Sequence, residues 1–164
     1  MKHLKTFESY TGIETKISEK TEENLNFLKS HFTDLPLTLD QYKERPHIHS
    51  CDSRMNGQLV GSCIFVIRDF KPNDNEINIP IDIDYKLPRV HINYIRTLEE
   101  FRGKGIGKDI VRKIVEWSKL NNVGIITANV KLDNMESQRL FTSYGFTKSG
   151  DLTATGSNTF YLLV

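Results

Sequence analysis

Arg102-Gly103-Lys104-Gly105-Ile106-Gly107 is the stretch of this sequence best suited to chemistry. It follows the apolar run His91–Leu98 and opens a strongly patterned helix. Glycines at 103, 105 and 107 leave the backbone bare at a strand-to-helix turn. Amide N–H groups can converge there on an anion, where the helix dipole also favours negative charge. Arg102 and Lys104 add positive charge. The turn therefore predicts a phosphate or pyrophosphate site, with a ligand-free glycine turn as the bland alternative. Two familiar phosphate motifs do not match. A Rossmann fingerprint needs G-x-G-x-x-G, and the spacing here is Gly103-x-Gly105-x-Gly107. A P-loop closes on Gly-Lys-Ser/Thr, and Gly107-Lys108 is followed by Asp109.

The elements that would hold this turn are legible in outline. A short strand is expected near Leu4–Phe7. Leu25, Leu28 and Phe32 lie at helical spacing, with Thr21 as a cap ahead of Glu22 and Glu23, so a helix is predicted over 21–32. Asp34-Leu35-Pro36 stops it, and a second short helix is expected over 38–45. Asn56-Gly57 joins two strands, 47–55 and 58–69. Ile77, Ile79, Ile81, Ile83, Tyr85 and Leu87 alternate with mainly polar residues, predicting a strand, and Pro80 places it at an edge. A strand over 90–98 leads into the glycine turn. A helix over 105–120 carries Ile106, Ile110, Ile114 and Trp117 along one stripe. A strand over 123–130, a helix over 134–144 closed by Gly145, and strands over 146–150 and 159–164 complete a mixed α/β order.

Composition narrows the class. The chain has 164 residues, 38% hydrophobic and 26% charged, values ordinary for one globular domain. A net charge of +1 gives no strong pull toward nucleic acid or an anionic membrane. No apolar run approaches the ~20 residues of a membrane span. The first eight residues contain no continuous apolar segment, and Cys51 and Cys63 suit a reduced compartment, so a cytoplasmic location is expected.

Arg102-x-x-Gly105-x-Gly107, preceded by a strand ending Ile95-Arg96-Thr97, resembles the pyrophosphate motif of the GNAT superfamily of acyl-CoA-dependent N-acyltransferases. Val130-x-x-x-Asn134-x-x-Ser137-x-x-Leu140-Phe141-x-x-x-Gly145-Phe146 is similar to that family's second motif. Asn56-Gly57-Gln58-Leu59-Val60-Gly61 is similar to its second hairpin. The likeness runs in order across about residues 47–164. It implies a single N-acetyltransferase domain over 1–164, with a mixed, mostly antiparallel twisted sheet flanked by helices and central strands splayed into an acyl-CoA cleft.

The resemblance also implies a division of labour. Backbone groups of Ile95, Arg96 and Thr97 would pair with the pantetheine arm. Amides from Gly103 through Lys104, Gly105, Ile106 and Gly107 to Lys108, beside Arg102, would hold the pyrophosphate. Asn134 would hydrogen-bond the pantetheine side, although an ordinary helix cap is its simpler role. Ser137 stands where the family has a small residue, and Phe141 where many members have Tyr. Acetyl-CoA is the implied donor and an amine the acceptor, with no metal required.

An amine must lose a proton before it attacks a thioester, and the oxyanion needs a fixed donor near Ile95–Thr97. His91 is the expected base, since its ordinary pKa of ~6.5 suits a proton acceptor at pH 7; a satisfied strand histidine is the alternative. Phe141 cannot donate a proton, and Tyr144 is the nearby substitute, with packing under Gly145-Phe146 as its alternative role. Asp82 and Asp84 form a solvated edge or, as the alternative, attract a cationic amine substrate. His47, His49 and Cys51 share a strand face but have no partner cluster at zinc spacing. The Ile77–Leu87 arm offers an edge for a homodimer. A module of this fold with impaired catalysis, or an enzyme using a longer acyl donor, are the competing readings.

Overall fold

A computed structural model of the protein describes residues 12–73 and 75–164. The chain order is β1 (Ile13–Ser18), α1 (Glu22–Lys29), α2 (Leu39–Glu44), β2 (Ile48–Met55) and β3 (Gln58–Arg68). It continues with β4 (Arg89–Thr97), a 3-10 turn at Glu99–Phe101, α3 (Ile106–Leu120), β5 (Ile125–Lys131), α4 (Met135–Tyr144), β6 (Thr147–Leu152) and β7 (Ser157–Leu163). Among the described residues the strands form one seven-stranded sheet in the order β1-β2-β3-β4-β5-β7-β6. Every neighbouring pair is antiparallel except β4 and β5. No helix among these residues is long and apolar enough to cross a membrane.

The parallel pair shapes the cleft. β4 and β5 are in register from Arg89↔Ile125 to Ile92↔Ala128 and no further. Beyond that point β4 runs on to Thr97 while still paired with β3, and β5 runs on paired with β7. The backbone groups on one edge of β4 are thus left without a strand partner, and the sheet opens at its centre.

Helices cover both faces. Ile106, Ile110 and Ile114 of α3 pack on Val60, Cys63, Phe65, Ile92 and Ala128, in one core with Phe141, Phe146 and Phe160. α1 and α2 bury Leu25, Leu28 and Tyr42 against Ile48 and Ile64 on the other face. Both short helices begin on capping boxes, Thr21 with Asn24 and Thr38 with Gln41.

A buried carboxylate fastens α1 to the sheet. Asp52 is 2% exposed. Its Oδ1 accepts from the Ser62 hydroxyl at 2.6 Å and the Ser50 hydroxyl at 3.3 Å, and its Oδ2 accepts from Asn24 Nδ2 at 3.1 Å. Tyr42 in turn donates to Asn24 Oδ1 at 2.6 Å. Asp52→Ala would strand three buried donors at once. We expect it to cost about 2–4 kcal/mol, read as a fall of roughly 5–15 °C in Tm.

Two differences from the sequence reading concern strands. β1 was not anticipated; its partner is β2, paired from Ile13↔Met55 to Ser18↔Ser50. Conversely, residues 77–87 form turns and loop, not a strand. Pro80 lacks a ladder donor, its carbonyl is taken by Ile83 N–H at 3.0 Å, and Ile81 is 104% exposed. The segment is fixed by side-chain bonds instead: Asn78 N–H donates to Thr159 Oγ1, and Asn129 Nδ2 donates to the Glu76 carbonyl. The pairing edge expected of this arm is absent with the strand. The strand expected near Leu4–Phe7 lies outside the described residues.

Candidate functional site

The glycine turn leaves a helix end bare, a geometry suited to an anion. Gly103 and Gly105 have φ of +75° and +79°, and a Cβ added at either would meet nothing within 4 Å. Gly105 is the N-cap of α3 and supplies no side-chain cap. The helix ladder starts with Asp109 N–H donating to the Gly105 carbonyl at 3.0 Å. The amides of Ile106, Gly107 and Lys108 therefore have no intrahelical acceptor and point out of the helix end. Gly107 answers a packing need, since its Cβ would lie 3.3 Å from Leu140 of α4. Gly61 of β3 similarly lets the first turn of α3 sit on the sheet: a Cβ there would come within 2.8 Å of Ile106.

A cavity of about 470 Å³ joins this turn to the open edge of β4. Ile95, Arg96 and Thr97 line one side, Arg102, Gly103, Gly105, Gly107 and Lys108 the end, and Asn134 and Ser137 the far side. Asn134 lines the cavity and caps α4, its Oδ1 accepting from Ser137 N–H at 3.1 Å, so the cap leaves its amide nitrogen unused. The sequence reading missed several wall residues: Phe32 beyond α1, and Glu136, Arg139, Leu140 and Ser143 on α4. Their spacing on α4 marks one helical face, but nothing local says that this face turns toward β4. Arg102 pairs with Glu136 at 3.5 Å, and the Lys104 ammonium lies 5.0 Å from the Phe101 ring centre.

The groups expected to move protons are elsewhere. His91 sits within the paired part of β4, not in the splay, and does not line the cavity. His91 Nδ1 and the Thr127 hydroxyl share a hydrogen bond of 2.8 Å, and that hydroxyl also reaches the Val90 carbonyl at 3.3 Å. Burial, and secondarily the Arg89 charge, push the imidazole pKa down to about 4. A weaker base that also lies outside the cavity is not placed to take the amine's proton. Phe141 is 1% exposed and packs against Phe146 and Phe160, so it belongs to the core rather than the cleft wall. Ile106 likewise puts its side chain in the core and offers only its amide. Tyr144 meets Phe146 edge-on and lies near Arg112 and Glu116, outside the cleft. Asp82 and Asp84 do not line it either. His49 packs between Phe65 and Trp117, at 5.4 and 4.7 Å, and Cys51 is core. Among the described residues no three His, Cys, Asp or Glu side chains cluster for a metal.

The half-buried, desolvated imidazole has a stability consequence. Its folded pKa of about 4 lies below the unfolded value of ~6.5, so the unfolded chain binds the proton more readily in between. Stability is full above about pH 6.5, falls as pH drops toward 4, and loses nothing further from this group below that. Urea unfolding at pH 7 and pH 4.5 should show that loss, of order 2 kcal/mol, and His91→Gln should flatten it.

A sheet splayed at its centre, with a bare helix end at the splay, is the arrangement that the sequence resemblance implies. Residues 16–146 match the model of the acetyltransferase (GNAT) family, and the chain belongs to that family. It is 28% identical over 97 residues to the N-acetylaspartate synthetase of Danio rerio, a match covering 59% of this chain and 29% of that protein. Among solved structures it resembles aminoglycoside N-acetyltransferase AAC(6')-Iy in complex with CoA, with a TM-score of 0.68 and 18% identity over 85% of this chain and 91% of that one. It also resembles Arabidopsis thaliana NAA60 in complex with acetyl-CoA, with a TM-score of 0.67 and 18% identity over 93% and 97%.

Proposed function

We propose that this protein transfers an acetyl group from acetyl-CoA to a primary amine by direct attack on the thioester. The observation that carries this is the single cavity joining three features: the unpaired edge of β4 at Ile95–Thr97, the glycine cradle and the Asn134 cap. In this reading the amides of Gly103–Lys108, with Arg102, hold the pyrophosphate. The free edge of β4 hydrogen-bonds the pantetheine amides as an added strand would. A backbone N–H of Ile95–Thr97 receives the oxyanion as the amine adds to the carbonyl carbon. The C–S bond then breaks and the electron pair leaves on sulfur. A thiol pKa near 8.5 makes the thiolate a tolerable leaving group without a dedicated acid. The amine attacks as its neutral fraction, and once the C–N bond has formed its nitrogen is acidic enough to release the proton to bulk buffer through the cleft mouth, since neither His91 nor Tyr144 lines the cavity.

That same placement favours a second reading, a module that keeps the acyl-CoA cleft with impaired catalysis. Free-thiol release from acetyl-CoA across a panel of primary amines, with the acetylated product confirmed by mass, separates the two. Amine-dependent release supports transfer. Tight acetyl-CoA binding without release with any amine would support the module.

A further inference from the structure

Arg96 is the unexplained cation of the cleft. It lines the cavity, and its Nε is buried with no hydrogen-bond partner. No carboxylate among the described residues lies within ion-pair distance of it; Glu136, the carboxylate lining the same cavity, pairs with Arg102 instead. Glu99 and Glu136 act on it only at longer range, and burial and the Arg102 charge oppose them. A buried guanidinium nitrogen without an acceptor is costly, and such atoms are few in folded proteins. A ligand that brings its own acceptor would remove that cost.

Arg96 is close enough to Arg102 of the cradle to feel its charge, but it stands on the other face of β4. Ile95 packs with the core under α3. Side chains alternate along a strand, so Arg96 turns to the opposite face. Its register partner on β3 is Ser62, whose hydroxyl bonds Asp52 beneath α1. Tyr94, two residues earlier, meets Phe32 edge-on at 5.1 Å, and Phe32 lines the cavity. The cradle, by contrast, caps α3. Arg96 thus lies on the α1 side of the splay, next to the backbone where the acyl carbonyl is placed, and it can present Nε and one Nη side by side to a planar anion.

We propose that Arg96 selects an acceptor that carries a carboxylate beside its primary amine, an amino-acid-like substrate rather than a polycationic one. This rests on the acetyl-transfer reading above. The test uses the full chain with acetyl-CoA and matched acceptor pairs: the proteinogenic α-amino acids and β-alanine, each against its own carboxamide. Expected are turnover of one or more of the acids and at least about tenfold lower kcat/KM for the matching amide. Arg96→Met should raise KM for the acid about 10- to 100-fold and bring the kcat/KM values of acid and amide together, and Arg96→Lys should recover part of the preference. Equal use of acid and amide by the wild type, turnover of other amines only, or an acid-over-amide preference that persists in Arg96→Met would overturn the proposal while leaving acetyl transfer standing. Failure of folded wild-type protein to bind acetyl-CoA would instead overturn the acetyl-transfer reading itself.

Discussion

Gly103→Asp is expected to weaken acetyl-CoA binding about 100-fold, close to 2.7 kcal/mol, with Tm nearly unchanged. The backbone at Gly103 is left-handed, a conformation Asp and Asn tolerate better than other non-glycine residues, and its missing Cβ faces open space. The substitution therefore adds one negative charge to the cradle without disturbing the core. Gly103→Asn carries the same shape without the charge and should lose no more than about tenfold. Calorimetric titration of the three proteins with acetyl-CoA checks this. A loss shared equally by Asp and Asn would assign the effect to shape, and no loss in either would place the phosphates elsewhere.

Gly124→Ala should be the most damaging single methyl in the fold. A Cβ at Gly124 would overlap the backbone of Lys86, which has no flexible end to swing aside. The same residue ties three segments together: its N–H donates to the Pro88 carbonyl at 2.9 Å, and its carbonyl accepts from Val164 N–H at 3.1 Å. The chain entering β4 must move for the alanine to fit, and the β4–β5 pairing that sets the splay starts next to it. We expect a loss of about 3 kcal/mol or more, a Tm drop of roughly 6–12 °C, with weakened acetyl-CoA binding as a secondary effect. A Tm within 2 °C of wild type would mean that the Lys86 crossing is not a fixed part of the fold.

These two glycines show what the sequence could and could not disclose. Gly103 is legible because its neighbours announce it: an apolar strand before, a patterned helix after, and two more glycines alongside. Gly124 is silent, because the residue it must clear is 38 positions away in sequence. The same division runs through the elements. The four helices and the β2–β3 hairpin are written in local signals such as Thr21, Asn56-Gly57 and Gly145. β1 pairs with a strand more than 30 residues downstream, and its alternation, Ile13 and Ile17 among charged residues, is too short to stand out. The alternation over 77–87 misleads because Ile77 packs inward while Ile81 does not, and Pro80 breaks the ladder that would have made the period structural.

In the site, the cradle and the β4 edge follow from the turn motif, whereas the roles of His91, Phe141 and Tyr144 depend on register and helix rotation. His91 is paired across to Thr127 because β4 and β5 separate only after Ile92, and no residue type encodes where a parallel pair parts. On α4, Leu140 and Ser143 face the cleft while Phe141 and Tyr144 turn to the core side. Packing of Phe141 on Phe146 and Phe160 decides that rotation. Phe32 reaches the cavity from beyond the end of α1, which Asn24 and Asp52 fasten across the sheet and where Phe32 packs on Tyr94.

The central claim, that the cradle and the open edge of β4 together hold acetyl-CoA, is tested most directly by amide NMR of the labelled protein titrated with acetyl-CoA. The account predicts the largest shifts at Gly103, Gly105, Ile106, Gly107 and Lys108, with a second group at Ile95–Thr97 and the Asn134 side-chain amide, all saturating together. Shifts confined to other surfaces, or none at saturating acetyl-CoA in a folded protein, would contradict it.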